Sequence, residues 1–224
     1  MEQERRRRRQ RTAWISAVAV TVLLVAGLTG AVLWQASRPD QVAPPAAATA
    51  DGAGLPVGSG PVTVEVYLDF LCPHCADFEA AAGPVLREYV ADGTATVVYR
   101  PIAILDRNTT TEYSTRAAAA AACAAGSDQL AGFVAAMLEN QPLGQPAGLT
   151  DDQIVALGAE AGITDPGFGQ CVRDGEYRDW ATHSTDRAFD RGVQGTPTVF
   201  VDGTRLSELS VPALRAAVDA AATG

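Results

Sequence analysis

The chain has 224 residues, of which 47% are hydrophobic, including three Trp and six Phe. A domain of ordinary size can therefore build a hydrophobic core without depending on disulfides. The formal net charge is −9, but Arg5 to Arg9 and Arg11 form a basic head, whereas the residues after Gly60 carry 10 Arg against 22 Asp and Glu. Nucleic-acid binding draws on clustered positive charge, so this acidic part argues against nucleic acid as a partner.

The N-terminal residues predict a single membrane anchor. After the basic head, residues 1–12, residues 13–34 form 22 positions without a charged side chain, which is enough for a helix to cross a hydrocarbon layer of ~30 Å. The Arg cluster predicts a cytoplasmic N-terminus and an extracytoplasmic domain in a single-pass protein of the cell membrane. A cleaved signal peptide is the alternative. Both interpretations export the domain to a compartment where disulfides persist.

Residues 35–60 predict a linker, because Ala, Pro and Gly occupy 15 of 26 positions with almost no periodic apolar pattern. The folded domain is then expected to span residues 61–224.

The domain begins with a predicted strand and alternates strands with helices. The strand Val62 to Phe70 is rich in β-branched and aromatic residues, and it leads directly to Cys72. Apolar residues at helical spacing follow as far as Asp92-Gly93. The remaining predicted elements are a strand at Thr94 to Tyr99, a helical block at about 110–191, strands at Thr198 to Val201 and Thr204 to Leu206, and a helix at Val211 to Ala222. This order predicts an α/β fold with a helical insertion.

The motif Cys72-Pro73-His74-Cys75 lies where the first strand meets the first helix. Proline at the first helical position starts a helix without removing a needed donor. The free N–H groups and the partial positive charge of the helix end are expected to lower the pKa of the Cys72 thiol. His74 adds a donor or a charge to this effect. Cys75 lies one turn later and is expected to be the buried, resolving cysteine.

Two cysteines spaced in this way also bind zinc, which needs two further ligands. The other candidates are His74, His183, Cys123, Cys171 and carboxylates, and they show no recognised ligand spacing. The sequence therefore predicts redox chemistry with no metal and no cofactor. His183 is interpreted as a surface residue.

Two carboxylates precede the motif. Asp69 lies three residues before Cys72, and Glu65 lies four residues before Asp69 on the same strand face. A buried carboxylate near the pair can shuttle a proton to Cys75. The alternatives are that Asp69 caps a turn and that Glu65 is an exposed strand residue.

The other two cysteines, Cys123 and Cys171, fall in the helical block, far from the motif in sequence. In an oxidising compartment two remaining cysteines tend to pair, so we expect a structural disulfide. Two buried free thiols are the alternative.

The order of elements resembles the DsbA-like family of exported thiol–disulfide oxidoreductases, which have a thioredoxin fold, here in a membrane-anchored form. The resemblance covers residues 61–224, and its strongest marks are Asp69-Phe-Leu-Cys-Pro-His-Cys75 and Val193-Gln-Gly-Thr-Pro-Thr198. It implies that Pro197 is cis and packs beside the cysteine pair, with the Thr196 backbone left to pair with substrate. Without the resemblance, Pro197 could equally be a proline that starts a strand. Thr196 differs from the valine of the best-known enterobacterial members, so their substrate range and redox poise do not transfer.

By this resemblance the expected function is a monomeric dithiol oxidase that introduces disulfides into exported proteins. Its expected partners are those proteins and a quinone-linked membrane protein that reoxidises Cys72 and Cys75. A disulfide reductase or isomerase on the same fold is the nearest alternative. A non-catalytic module that binds a metal or a substrate is the alternative from another class.

Overall fold

A computed structural model describes residues 42–223. The basic head and the predicted membrane anchor at residues 13–34 lie outside this range. None of the helices within residues 42–223 combines the length and the apolar character needed to cross a membrane. The strands are β1 (Leu55–Val57), β2 (Val62–Leu68), β3 (Ala95–Pro101), β4 (Thr198–Val201) and β5 (Thr204–Arg205). The helices are α1 (Pro73–Ala91), α2 (Tyr113–Cys123), α3 (Leu130–Glu139), α4 (Asp151–Glu160), α5 (Pro166–Asp174), α6 (Arg178–Asp190) and α7 (Val211–Thr223), with a 3₁₀ turn at Asp106–Asn108.

The five strands form one sheet in the order β1-β3-β2-β4-β5, in which β2 and β3 are parallel and the other neighbours are antiparallel. The central strand β2 is buried on both faces, which explains its continuous run of β-branched and aromatic residues. Helices α1 and α7 pack on one face of the sheet, in the main hydrophobic core with Val64 and Val66. A smaller cluster that includes Tyr67, Ala188 and Phe200 covers the other face near the end of α6.

The chain between β3 and β4 forms the helical insertion, which contains α2 to α6. Its Ala-rich helix α2 is almost completely buried and contacts α3, α5 and α6, because small side chains let neighbouring helices approach closely on all sides. The alternation of strands and helices and the position of the insertion confirm the expected thioredoxin-like fold.

The prediction of a linker over residues 35–60 is wrong for residues 42–60, which belong to the folded unit. Strand β1 pairs with β3, and Leu55 is fully buried. The indole Nε1 of Trp180 donates a hydrogen bond of 2.6 Å to the Gly52 carbonyl, and Arg100 forms an ion pair of 2.8 Å with Asp51. These contacts join residues far apart in sequence, so composition and local periodicity could not reveal them.

Cys123 and Cys171 are joined by a disulfide with an S–S distance of 2.05 Å. The alternative of two free thiols is therefore wrong. The bridge links the end of α2 to α5 within the helical insertion, so the folded domain contains one closed pair and one free pair of cysteines, Cys72 and Cys75.

Candidate active site

The cysteine motif lies at the start of α1, directly after the carboxyl end of β2. Cys72 is the N-cap residue, with extended backbone angles, and Pro73 occupies the first helical position. A tight turn joins the strand to the helix, since the Cys72 N–H donates to the Asp69 carbonyl at 3.0 Å. The sheet and the helix together therefore fix the position of the Cys72 sulfur.

The Cys72 sulfur lies in an environment that favours the thiolate. Its pKa is lowered to about 5, first by the hydrogen bond from the Cys75 thiol and then by the Thr196 side chain and the backbone N–H groups of Cys75 and His74, against the opposing effect of burial. The last two groups belong to the first turn of α1, at the positive end of the helix dipole. Cys72 is therefore the stronger nucleophile of the pair at neutral pH.

Cys75 behaves in the opposite way. Its residue is 1% exposed, and burial raises the pKa of its thiol far above the usual range, with a further contribution from the neighbouring Cys72 sulfur. Cys75 therefore keeps its proton and can donate it in a hydrogen bond to the Cys72 thiolate. The two cysteines, three residues apart, therefore differ in protonation, with the thiolate favoured at Cys72 and the thiol at Cys75.

The segment before β4 completes the site. The Thr196–Pro197 peptide bond is cis, and the Cys72 thiol donates a hydrogen bond of 3.2 Å to the Thr196 carbonyl. The buried Thr196 hydroxyl makes no hydrogen bond of ordinary geometry within residues 42–223. Its weaker interaction with the two sulfurs nevertheless lowers the pKa of Cys72 and that of Cys75. The fold therefore brings residues more than 120 positions apart in sequence into contact at one sulfur.

The His74 ring does not point at the cysteines. Its side chain is 82% exposed, and Nδ1 lies 3.7 Å from a carboxylate oxygen of Asp77. The prediction that the His74 ring stabilises the Cys72 thiolate is therefore wrong for this structure. His74 stabilises the thiolate through its backbone N–H instead. The ring is turned outward because its position on α1 faces solvent, whereas the N–H points along the helix axis toward the N-cap.

Asp69 is fully buried beneath the active-site turn. Its carboxylate accepts hydrogen bonds from the Leu71 N–H at 2.9 Å, the Leu105 N–H at 2.9 Å and the Ser114 hydroxyl at 2.7 Å. Burial raises the pKa of Asp69 to about 6, although these hydrogen bonds act to lower it. The backbone N–H of Asp69 also acts on the Cys75 thiol, lowering its pKa. Asp69 thus caps the turn and also carries a carboxyl group that titrates near neutrality.

Glu65 is not an exposed strand residue, since it is 6% exposed. Its carboxylate accepts hydrogen bonds of 2.7 Å from Arg100 Nε and Arg191 Nη1, and a further one from Arg191 Nη2. Glu65 shares a strand face with Tyr67, which packs in the smaller cluster on the sheet face opposite the cysteine pair. Glu65 therefore serves a buried ion-pair network, and the structure does not bring it to the thiols.

Two residues that sequence reasoning missed contact the active-site turn from the helical insertion. Ser114 donates to Asp69, and the Gln141 amide donates to the carbonyls of Phe70 and Cys72 at 3.0 and 2.9 Å. No signal in the sequence marks either residue, since a single Ser or Gln in a helical region is ordinary. His183 is exposed on α6, and within residues 42–223 no three or more His, Cys, Asp or Glu side chains are grouped to hold a metal ion.

Comparisons with known proteins agree with this fold. A family model described as Thioredoxin matches residues 58–220. The solved structure of the reduced form of DsbG from Mycobacterium tuberculosis is 31% identical with a TM-score of 0.67, covering 75% of this chain and 87% of that chain. The structure of oxidised DsbA from M. tuberculosis is 31% identical with a TM-score of 0.65, covering 76% and 93%.

A curated relative, the serine/threonine-protein kinase PknE of M. tuberculosis, is 30% identical over 205 residues. The match covers 83% of this chain but 36% of the kinase, so this chain spans about a third of the length of the curated relatives that it matches.

The chain belongs to the thioredoxin family. Its dithiol at a helix N-terminus and its solved neighbours, which are disulfide oxidoreductases, further define it as a protein thiol–disulfide oxidoreductase.

Proposed function

We propose that this protein is a dithiol oxidase that introduces disulfides into exported proteins. The observation that carries the proposal is the environment of Cys72, whose pKa is lowered to about 5 by the Cys75 thiol, Thr196 and the first N–H groups of α1. These interactions stabilise the reduced protein, in which Cys72 is a thiolate, and they are lost when Cys72 and Cys75 form a disulfide. A dithiol whose reduced form is stabilised has a more oxidising disulfide.

The reaction proceeds by two exchanges. A substrate thiolate attacks the Cys72 sulfur of the Cys72–Cys75 disulfide, the S–S bond breaks, and Cys75 leaves and takes a proton. A second substrate thiolate then attacks the substrate sulfur of the mixed disulfide, and Cys72 leaves as a thiolate. The substrate loses two electrons and the enzyme dithiol gains them. The low pKa of Cys72 makes it a good leaving group in the second step.

Asp69 is proposed to exchange the proton of Cys75. Cys75 is buried, so its proton must come from a group inside the protein or from water that reaches the site. Asp69 is buried, adjoins Cys75 through its own backbone N–H, and has a pKa of about 6. A carboxyl group with a pKa near the working pH is suited to both giving and accepting this proton.

The Thr196 carbonyl is proposed to hold the substrate backbone. When Cys72 is protonated, this carbonyl accepts a hydrogen bond from its thiol, and the donor is lost when Cys72 ionises or forms a mixed disulfide. The carbonyl is then free to accept an N–H from the extended substrate chain beside the reacting sulfur. Recognition of backbone in this way suits an enzyme that acts on many unfolded proteins.

The proposed location is outside the cytoplasm, anchored by residues 13–34. The disulfide between Cys123 and Cys171 supports this proposal, because such bridges persist in oxidising compartments. A membrane-impermeant maleimide should therefore label Cys72 in intact cells once a membrane-impermeant reductant has opened the Cys72–Cys75 disulfide, and the protein should stay in the membrane fraction after a carbonate wash. Reoxidation of the dithiol is proposed to come from a quinone-linked membrane protein, so it should stop in membranes depleted of quinone.

The proposal is tested by measuring the pKa of Cys72 from thiolate absorbance and the equilibrium of the dithiol with glutathione. We expect a pKa near 5 and a reduction potential closer to roughly −120 mV than to roughly −270 mV. A pKa near the ordinary ~8.5 would falsify the oxidase proposal. A potential near that of thioredoxin would assign the protein to the reductases, and a stable dimer in sedimentation would favour an isomerase over the expected monomer.

A trapping experiment tests the roles of the two cysteines separately. Replacing Cys75→Ser removes the resolving thiol, so mixed disulfides between Cys72 and exported proteins should accumulate and be released by reductant. The matched control carries Cys72→Ser as well and should trap nothing. Equal trapping by both variants would show that Cys72 is not the attacking residue.

A further inference from the structure

Gln141 lies directly after α3, in the loop that leads to α4, and is half-buried. Its side-chain amide donates both of its hydrogens to backbone carbonyls, at 3.0 Å to Phe70 and at 2.9 Å to Cys72. These carbonyls stand on either side of Leu71, in the turn that connects β2 to α1. One side chain of the helical insertion therefore forms hydrogen bonds with the active-site turn at two points.

The Cys72 carbonyl also takes part in starting the helix. It accepts the Cys75 N–H at 3.0 Å, so it is the N-cap carbonyl, whose direction sets the orientation of the Cys72 peptide plane. A planar amide that binds two carbonyls two residues apart resists rotation of this plane, because any rotation would break one of the two bonds. Gln141 therefore restricts the conformation of the residue that carries the reactive sulfur.

This restriction acts on the chemistry through the first turn of α1. The N–H groups of His74 and Cys75 favour the Cys72 thiolate, and their effect depends on how the sulfur is oriented toward them. The Gln141 amide hydrogen also carries a partial positive charge. It partly neutralises the partial negative charge of the Cys72 carbonyl oxygen, which would otherwise disfavour a thiolate on the same residue.

We propose that Gln141 is a positioning residue for the dithiol: its amide holds the Cys72 carbonyl so that the Cys72 sulfur stays directed at the first N–H groups of α1. The helical insertion thereby acts on the reactivity of the thioredoxin-like core. The inference rests on the attacking role proposed for Cys72 and is independent of whether the enzyme oxidises or reduces its substrates.

The test replaces Gln141→Met, which preserves the length of the side chain and removes both donors. We expect the pKa of Cys72 to rise by roughly half to one unit, the size expected for the loss of one net hydrogen bond. Since Cys72 is about half ionised at pH 5, its alkylation rate at pH 5 should fall about two- to fivefold. The rate at pH 7.5 should hardly change, because the thiol is ionised there in both proteins.

Gln145→Met is the matched control. Gln145 lies in the same loop and is exposed, and its backbone N–H, not its side chain, bonds within the loop. This variant should leave the pH profile of alkylation unchanged. A residue that only stabilised the fold would lower the free energy of unfolding without moving the pH profile, so equal profiles for the two variants would overturn the proposal.

A measurement on the unaltered protein covers the case in which Gln141→Met does not fold. The two side-chain amide proton resonances of Gln141 should move with the ionisation of Cys72 in a pH titration of the reduced protein, and those of Gln145 should not. Gln141 resonances that ignore this titration would overturn the proposal. An ordinary Cys72 pKa in the parent protein would count against the proposed function, whereas a low pKa that Gln141→Met leaves unchanged would count only against the role of Gln141.

Discussion

The two pairs of cysteines in this domain carry the same functional group, but one pair is free and the other forms a disulfide. Cys72 and Cys75 lie at the start of a helix, beside the Thr196 carbonyl, and are free thiols. Cys123 and Cys171 are 48 positions apart and form a bridge between two helices of the insertion. The first pair is surrounded by groups that stabilise the Cys72 thiolate, whereas the second is half-buried and joins two helices of the insertion. Environment, and not residue type, therefore separates a reactive pair from a structural one.

The largest effect should appear when Cys72, the proposed nucleophile of the reactive pair, is removed. Cys72→Ser should reduce the oxidation of a reduced model protein to the rate without enzyme, because serine cannot form the mixed disulfide. Thermal unfolding should show that the variant keeps its fold. Residual activity in this variant would mean that another cysteine acts as the nucleophile.

Replacing Asp69→Asn should slow the steps in which Cys75 gains or loses its proton, by about tenfold to hundredfold, toward the lower end of general acid–base effects. Stopped-flow reduction of the Cys72–Cys75 disulfide by a small thiol measures this rate. Glu65→Gln is the matched control, because it neutralises a buried carboxylate that is bound to Arg100 and Arg191 and not placed at the thiols. If both variants slow the reaction equally, the effect comes from lost stability and not from proton transfer.

Removing the structural bridge should affect stability and leave the chemistry in place. The double variant Cys123→Ala with Cys171→Ala should lose up to about 4 kcal/mol in the free energy of unfolding, the chain-entropy estimate for a loop of this size. Denaturant unfolding measures the loss. The activity per folded molecule should stay within about twofold of the parent, and a larger loss would show that the bridge also shapes the reactive site.

The reactive pair should also make stability depend on pH in a redox-specific way. In the reduced protein the pKa of Cys72 is about 5, whereas in the unfolded chain it is about 8.5. Between these values the unfolded chain binds more protons, so the stability of the reduced protein rises with pH and this contribution is lost as the pH falls through about 5. The raised pKa of Asp69, about 6, acts in the opposite direction, because stability that depends on its proton is lost as the pH rises through that value.

The measurement is therefore the difference in unfolding free energy between the reduced and the oxidised protein from about pH 5 to pH 8. The stability of the reduced protein relative to that of the oxidised protein should rise with pH. The stability of the Cys72→Ser variant should lack the thiolate contribution, and a difference that is independent of pH would contradict the lowered pKa.

The smallest effect is expected for His74→Ala. The exposed ring points to Asp77, so its removal should change the pKa of Cys72 by less than about half a unit, which is typical of exposed charges. Titration of thiolate absorbance in both proteins gives the comparison. A larger shift would show that the ring turns toward the sulfur in solution.

The sequence predicted the reactive pair more easily than it predicted its surroundings. A proline after Cys72, a β-branched strand before it and helical spacing after it are local signals, and each of these elements forms where it was expected. Strand parity alone suggests that Glu65 could take part in proton transfer. Its partners Arg100 and Arg191 lie 35 and 126 positions away in the chain. The ion pairs that hold the Glu65 carboxylate therefore cannot be predicted from local sequence.

By itself, the sequence determined the order of strands and helices, the place of the dithiol at a helix N-terminus and the expectation of thiol chemistry, because these depend on local patterns and backbone preferences. Tertiary structure alone decided that residues 42–60 pack on the domain, that Asp69 is buried under the turn, and that Gln141 holds the Cys72 carbonyl. These features depend on contacts between segments distant in the chain. The reactivity of the two sulfurs is likewise set by such contacts, since desolvation and hydrogen bonding arise only when the chain is folded.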